Sequence, residues 1–131
     1  MKGKLTKNRY KAATVFVDHY SRLGYICLQT SLTSDETLKA KNAVEAYARL
    51  HGINRIRHYH ADNGQFADNA FIQDITKQGQ MISYCGVNAH FQHGVAEKRI
   101  RDLQEQVRKM LLHAKARWPT AITINLWPYP L

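Results

Sequence analysis

Two short β-branched runs, a long stretch of helical periodicity and a further extended run follow one another in the first half of this chain. That order constrains the fold more than any other feature. Ala12 to Asp18 (Ala-Ala-Thr-Val-Phe-Val-Asp) and Tyr25 to Gln29 flank the polar stretch Tyr20-Ser21-Arg22-Leu23-Gly24, and together they read as a β-hairpin. Thr33-Ser34-Asp35-Glu36 starts a helix, with Ser34 as N-cap, acids in the first turn and Thr37 at the third helical position. Leu38, Ala43, Val44, Ala46, Tyr47 and Leu50 keep the helical repeat, and Gly52 stops it. Ile53 to His60 is the next strand, ending at Asp62. A helix between a hairpin and a further strand acts as a crossover, so the chain is expected to be α/β, its sheet mixed with at least one parallel pair.

The rest of the chain extends the pattern. A short helix is expected from Asn69 to Gln78, closed by Gly79 after Lys77, and a strand from Met81 to Cys85. Gly86 to Gly94 has turn-like composition. From Val95, apolar Ile100, Leu103, Val107, Met110, Leu111 and Ala114 follow a helical repeat to about Ala116, where Trp118-Pro119 breaks it. Thr120 to Leu131 reads as a further apolar helix-like segment cut off by Pro128 and Pro130. Trp118 and Trp127 are assigned to core or interface. No internal repeat or low-complexity linker interrupts the 131 residues, which are read as one domain, 1–131.

Charge narrows the partner. Nineteen Lys and Arg against ten Asp and Glu leave +9, a field that attracts polyanions. No apolar run approaches the length of a membrane span, so nucleic acid is favoured over a membrane surface. Residues 1–11 carry Lys2, Lys4, Lys7, Arg9 and Lys11 and read as a basic arm. The basic start leads into no apolar signal core, and Cys27 and Cys85 lack the spacing of a metal knuckle. Buried free thiols in a reducing, intracellular setting, nuclear or cytoplasmic, are the expectation. His58-x-His60 and His90-x-x-His93 have no second ligand pair at finger-like spacing, so zinc is set aside; His58 and His60 share a strand face as packing or hydrogen-bonding residues.

Two acids stand in settings where folding does not need them. Asp62 follows an extended run at an Asn-Gly turn, just past the carboxyl end of a strand, where open α/β sheets carry functional side chains. Glu97 lies in the first turn of the long helix, with 34 residues between the two. Oxygen ligands in a basic protein suit Mg²⁺ or Mn²⁺ held against a phosphate. Each acid has an ordinary alternative: Asp62 can cap a turn, and Glu97 can complement a helix dipole. Lys98, Arg101, Arg108 and Lys115 recur at helical spacing away from Ile100, Leu103 and Val107, as a phosphate-contacting face or an ordinary solvated one.

Asp62-Asn63-Gly64-Gln65-Phe66 joined to Gly94-Val95-Ala96-Glu97-Lys98-Arg99 resembles the catalytic core of retroelement integrases, most closely the copia-type retrotransposon class. Val15-Phe16-Val17-Asp18-His19-Tyr20-Ser21-Arg22 matches that family's second-strand segment, and the resemblance runs from about Arg9 to the end. It implies a ribonuclease H-like mixed sheet flanked by helices, with DNA as partner. It also implies metal-dependent cleavage and strand transfer in DNA integration, with Mg²⁺ or Mn²⁺ activating water or a 3′-hydroxyl. Asp62 then matches the second metal-binding acid and Glu97 the third. Asn63, Gln92, Lys98, Arg101 and Arg108 are expected to contact nucleic acid. His93 departs from the family, which usually has Asn there.

The same resemblance places the first acid on a strand upstream of the segment that matches here. The chain is therefore expected to be a core fragment that lacks its first strand and is catalytically incomplete, its exposed apolar edge favouring self-association into a homo-oligomer. Two alternatives stay open. One is an active metal-dependent nuclease that uses Asp18 as first acid; the other is a non-enzymatic basic DNA-binding protein.

Overall fold

The computed structural model describes residues 9–62, 64–85 and 94–131, with the side chain of Gln65 outside that set. The elements run in the order β1 (Ala12–Val17), β2 (Gly24–Gln29), α1 (Ser34–Leu50), β3 (His58–Ala61), α2 (Asn69–Lys77), β4 (Met81–Tyr84) and α3 (Gly94–Arg117), with single 3-10 turns at Gln65–Ala67 and Ile124–Leu126. The chain divides into two compact units, one of Met1–Ser31 with Val95–Leu131 and one of Leu32–Gly94.

In the first unit β1 and β2 form the expected antiparallel hairpin, in register from Ala12 opposite Gln29 to Val17 opposite Gly24. Thr14 donates its hydroxyl to Gln29 Oε1 at 2.8 Å, which pairs these two buried polar side chains through that oxygen. Ala13, Val107 and Trp127 form the buried cluster of this unit, with Tyr10, Ile26, Leu28, Leu111 and Leu131 packed on it. α3 therefore buries Leu103 and Val107 and turns its charges outward, apart from the partly buried Arg99. Gly24 matters here, because a Cβ on it would come within 3.1 Å of Arg99 Nε. The helix-like segment expected from Thr120 to Leu131 is instead a run of turns around one 3-10 turn, since Pro128 and Pro130 deny it helical hydrogen bonds. Trp127 is core, whereas Trp118 is 57% exposed.

The second unit holds the parallel pair. β3 and β4 run parallel, with His58, Tyr59, His60 and Ala61 opposite Met81, Ile82, Ser83 and Tyr84. The crossover that makes them parallel is α2; the sequence pattern had assigned that role to the helix ahead of β3. Nor does β3 start at Ile53 as its composition suggested. Residues 53–57 are an extended connection, because the Arg55 guanidinium turns to donate to the carbonyls of Gln78 and Gly79 at the end of α2. Gly79 is required at that point twice over: its φ is +61°, and a Cβ would lie 3.0 Å from Arg55 Nη2. At the start of α1 the cap is Thr33 rather than Ser34, since the Thr37 N–H and hydroxyl both donate to the Thr33 carbonyl and begin the helical ladder one residue early. Gly52, at φ +81°, ends α1 as expected.

A charge lies at the centre of this unit. The Lys41 side chain is fully buried, and its Nζ lies 2.8 Å from both Glu45 Oε1 and Asp74 Oδ2, at angles that make these ion pairs rather than well-aligned hydrogen bonds. Glu45 Oε1 also accepts from the Tyr59 hydroxyl (2.8 Å) and from Gln80 Nε2 (2.7 Å). The second Gln80 hydrogen goes to the Ile56 carbonyl. Burial by itself would raise the Glu45 carboxyl, but the hydrogen bonds from Gln80 and Tyr59 and the adjacent Lys41 ammonium outweigh that and hold it below the usual range. Asp74 is held low chiefly by Lys41. Burial, then the Glu45 carboxylate, pushes the Tyr59 hydroxyl up.

Lys41→Met should therefore destabilise the protein by about 3–5 kcal/mol at neutral pH, because it strands a buried carboxylate. Both carboxyls are depressed in the folded state, so their stabilisation is fully present above about pH 4 and is lost as pH falls through the folded values. Urea unfolding of both proteins at pH 7 and pH 3 should show the gap narrowing in acid. An equal gap at both pH values would contradict this account.

Candidate functional site

Asp62 is the residue directly past β3, and its side chain is exposed. Its position is built from several sides. Strand register brings Ala61 opposite Tyr84, and the Cys85 N–H continues the ladder by donating to the Ala61 carbonyl at 3.2 Å. Beyond the acid, the Gly64 N–H donates to Asp62 Oδ1 at 3.3 Å, the side chain mimicking one step of a backbone turn. A Cβ on Gly64 would sit 3.2 Å from the same oxygen, close enough that the Asp62 side chain would have to give way slightly. The 3-10 turn that follows is anchored by the Tyr84 hydroxyl, which donates to the Phe66 carbonyl at 2.7 Å. The Phe66 ring packs edge-on to the buried Phe71. A short strand and a pinned turn thus present one carboxylate to solvent, with lone pairs beyond the single Gly64 contact available to a cation.

Glu97 lies in the first turn of α3, exposed, on the helix that opens at Gly94. Lys98, Arg101, Arg108 and Lys115 are exposed along the same helix, on the side away from Leu103 and Val107. None of the four forms an ion pair among the described residues, whereas Lys109 is tied to Glu105 at 2.6 Å. Arg99 is only partly exposed beside β2 and so is not part of that row. Asn63, Gln92, His90 and His93 lie outside the described residues. Among the described residues no group of three His, Cys, Asp or Glu side chains could hold a metal ion.

Asp18 occupies the hairpin connection. Its Oδ2 accepts from both the Ser21 N–H and the Ser21 hydroxyl, each at 2.6 Å, and these bonds, the hydroxyl's first, hold its carboxyl below the usual range. Its backbone closes the same turn, donating to the Leu23 carbonyl and accepting from the Arg22 N–H, where Arg22 takes the left-handed φ of +63°. Such a carboxylate has a turn-closing role in the hairpin.

His58 and His60 point to the exposed face of β3, and both bond Ser83 Oγ at 2.8 Å, as expected of hydrogen-bonding residues. Sequence reasoning did not foresee Ser83 or Cys85 beside them, because the facing pair depends on the parallel register. The alternation of His58 and His60, matched by Ser83 and Cys85, was the available signal.

Comparison with known proteins places this architecture. No protein-family model matches the sequence, and no curated protein matches it. Solved structures do. The catalytic core domain of HTLV-2 integrase, solved in complex with magnesium in a trimeric form, has 22% identity and a TM-score of 0.66 over 96% of this chain and 75% of its own. A chain of the simian T-cell lymphotropic virus intasome has 19% identity and a TM-score of 0.69 over 97% of this chain and 43% of its own. The catalytic core domain of BIV integrase has 18% identity and a TM-score of 0.55 over 86% of this chain and 66% of its own. The fold is the mixed α/β, ribonuclease H-like fold of retroviral integrase catalytic cores.

Gly64→Ala tests how tightly that fold holds Asp62. Its Cβ would crowd Oδ1 and lengthen the bond from the residue-64 amide, so that amide should exchange hydrogen faster, while global stability changes by no more than about 1 kcal/mol. Unchanged exchange at position 64 would contradict the crowding.

Proposed function

We propose that this chain is an integrase-type catalytic core that acts on DNA in an integration reaction, with Asp62 and Glu97 as its divalent-metal carboxylates. The observation that carries the reading is the union of an integrase-core fold with an exposed Asp62 set directly past the end of β3. The donor chemistry fits Mg²⁺ or Mn²⁺, since both groups are exposed carboxylates. Such an ion, when bound, supplies charge to a phosphate and lowers the pKa of attacking water. The protein's own part is to orient: the Gly64 amide fixes Asp62, and the exposed row on α3 lays positive charge along a phosphodiester backbone. Asn63 and Gln92 are proposed to join those contacts.

The copia-type assignment belongs to this proposal and rests on the short motifs around Asp62, Glu97 and Val15 to Arg22. So does incompleteness. Two of the three acids of such a site have counterparts here, and a symmetric metal pair needs the shared first one, so weak metal binding and little strand transfer by the chain alone are expected. Self-association is proposed as well; the HTLV-2 core has been solved in dimeric and trimeric forms. The setting is intracellular.

Mn²⁺ titration with a DNA cleavage and strand-transfer assay tests the metal reading, using Asp62→Asn and Glu97→Gln. Weak Mn²⁺ binding that falls further in each variant, with little strand transfer, is expected. Robust strand transfer lost in Glu97→Gln would overturn incompleteness and point to Asp18, to be checked with Asp18→Asn. Mn²⁺ binding unchanged in both variants would overturn the metal site and leave a basic DNA-binding protein.

DNA binding itself should be sequence-independent and steeply salt-dependent. Replacing Lys98, Arg101 and Arg108 together by Ala should reduce the slope of log affinity against log salt by about 2–3, roughly 0.9 for each lost phosphate contact. A slope unchanged by the triple substitution would remove α3 from the interface.

A further inference from the structure

Lys98, Arg101, Arg108 and Lys115 on α3 stand in water, and Lys109 is paired with Glu105. Arg99 has neither outlet. Its side chain is only partly exposed, and its Nε is buried with no acceptor for the hydrogen it carries. Among the described residues it forms no ion pair, although Asp102 lies one turn along the same helix. An arginine that merely packs its stem on a protein surface keeps its charged head in water. Here part of the head is taken in as well, and a buried donor without an acceptor opposes folding unless something else supplies one.

The β1–β2 hairpin holds that head in place, within the same compact unit. A Cβ on Gly24 would lie 3.1 Å from Arg99 Nε, 3.4 Å from Nη2 and 3.6 Å from Cζ. The guanidinium therefore lies against the face that the glycine leaves open, and a side chain at position 24 would have to displace it slightly. Gly24 opens β2 opposite Val17, and its φ is not in the left-handed region, so the backbone there does not itself call for glycine. The acid of the same hairpin, Asp18, closes its own turn on Ser21 and forms no ion pair with Arg99 among the described residues.

We propose that Arg99, seated on Gly24, is the receptor for one backbone phosphate of bound DNA, a role that rests on the DNA reading above. A guanidinium fork matches two oxygens of a phosphate, and a fork already held by packing loses little freedom when it binds. The oxyanion brings the opposite charge and the acceptors that the protein does not provide. A protein carboxylate has similar fork geometry, but the net +9 and the exposed cations along the same helix draw a polyanion. Lys98, Arg101 and Arg108 attract DNA through charge in water. The seated fork fixes where along α3 the backbone lies.

Binding of a short labelled duplex, read by fluorescence anisotropy at fixed salt, tests this with substitutions that preserve net charge. Arg99→Lys keeps the charge and loses the fork, and should weaken binding about ten-fold. Gly24→Ala changes no charge; its Cβ should shift the guanidinium and weaken binding by less than Arg99→Lys does. Added to Arg99→Lys, it should cost nothing more. Arg117→Lys, at the exposed far end of α3, should bind like the native chain. Arg99→Lys binding as tightly as Arg117→Lys, or Gly24→Ala with native affinity, would overturn the seat while leaving the DNA reading in place. A native chain that binds no duplex would overturn the DNA reading and the receptor with it. If a variant unfolds, seen by circular dichroism, the native protein decides. Its Arg99 Nε–H resonance should shift when duplex is added, and a resonance that stays in place overturns the proposal.

Discussion

The Lys41 ammonium is the interaction on which the second unit depends. An ammonium removed from water costs several kcal/mol unless opposite charge and hydrogen bonds surround it, so its partners have little freedom to move apart. Glu45 lies one turn along α1, Asp74 comes from α2, Tyr59 from β3, and Gln80 from the residue ahead of β4. Both helices and β3 of the unit therefore place a side chain in this cluster, and Gln80 joins it from just before β4. Phe71 and Ile75 are buried in the same unit and add apolar burial to the driving force. Apolar contacts alone tolerate sliding; a buried ion pair with a defined set of donors does not. The parallel register that carries Asp62 runs between β3, whose Tyr59 bonds Glu45, and β4, which directly follows Gln80.

What the sequence made legible follows from this. Helical periodicity located α3 to within a residue at each end, because a 24-residue helix repeats its apolar positions many times. Asp62 at a strand end was legible because an Asp-Asn-Gly word at the close of an extended run has a single local meaning. Lys41 was not legible. A lysine beside Ala40 and ahead of Val44 reads as the edge of a solvated face, and only the arrival of Asp74 from another helix makes its burial tolerable. The start of β3 was missed for a related reason, since residues 53–57 look like strand until Arg55 is seen to cap α2. Sequence also could not choose which helix served as the parallel crossover. The integrase resemblance rested on a few short words, whereas the solved structures share the fold across nearly the whole chain at identities near 20%. The two arguments are independent, because one uses local residues and the other uses backbone path.

In the proposed metal site the two acids differ in how far the fold orients them beforehand. Asp62 is already oriented: one oxygen takes the Gly64 amide, and the turn beyond is pinned through Phe66 and Tyr84. Glu97 is a longer side chain, exposed in a first helical turn where the helix dipole favours its charge. A carboxylate whose rotamer is already restricted loses less entropy when it binds than a flexible one. Asp62 is thus the acid whose geometry the fold supplies, and Glu97 the one whose order a bound ion would have to impose. The difference also governs what isosteric substitutions report. Asn at position 62 can still accept from the Gly64 amide through its carbonyl oxygen, so the turn survives while the charge is removed. A loss of metal affinity in that variant measures charge at a geometry held constant. At Glu97 the same loss contains both the charge and the ordering of the side chain.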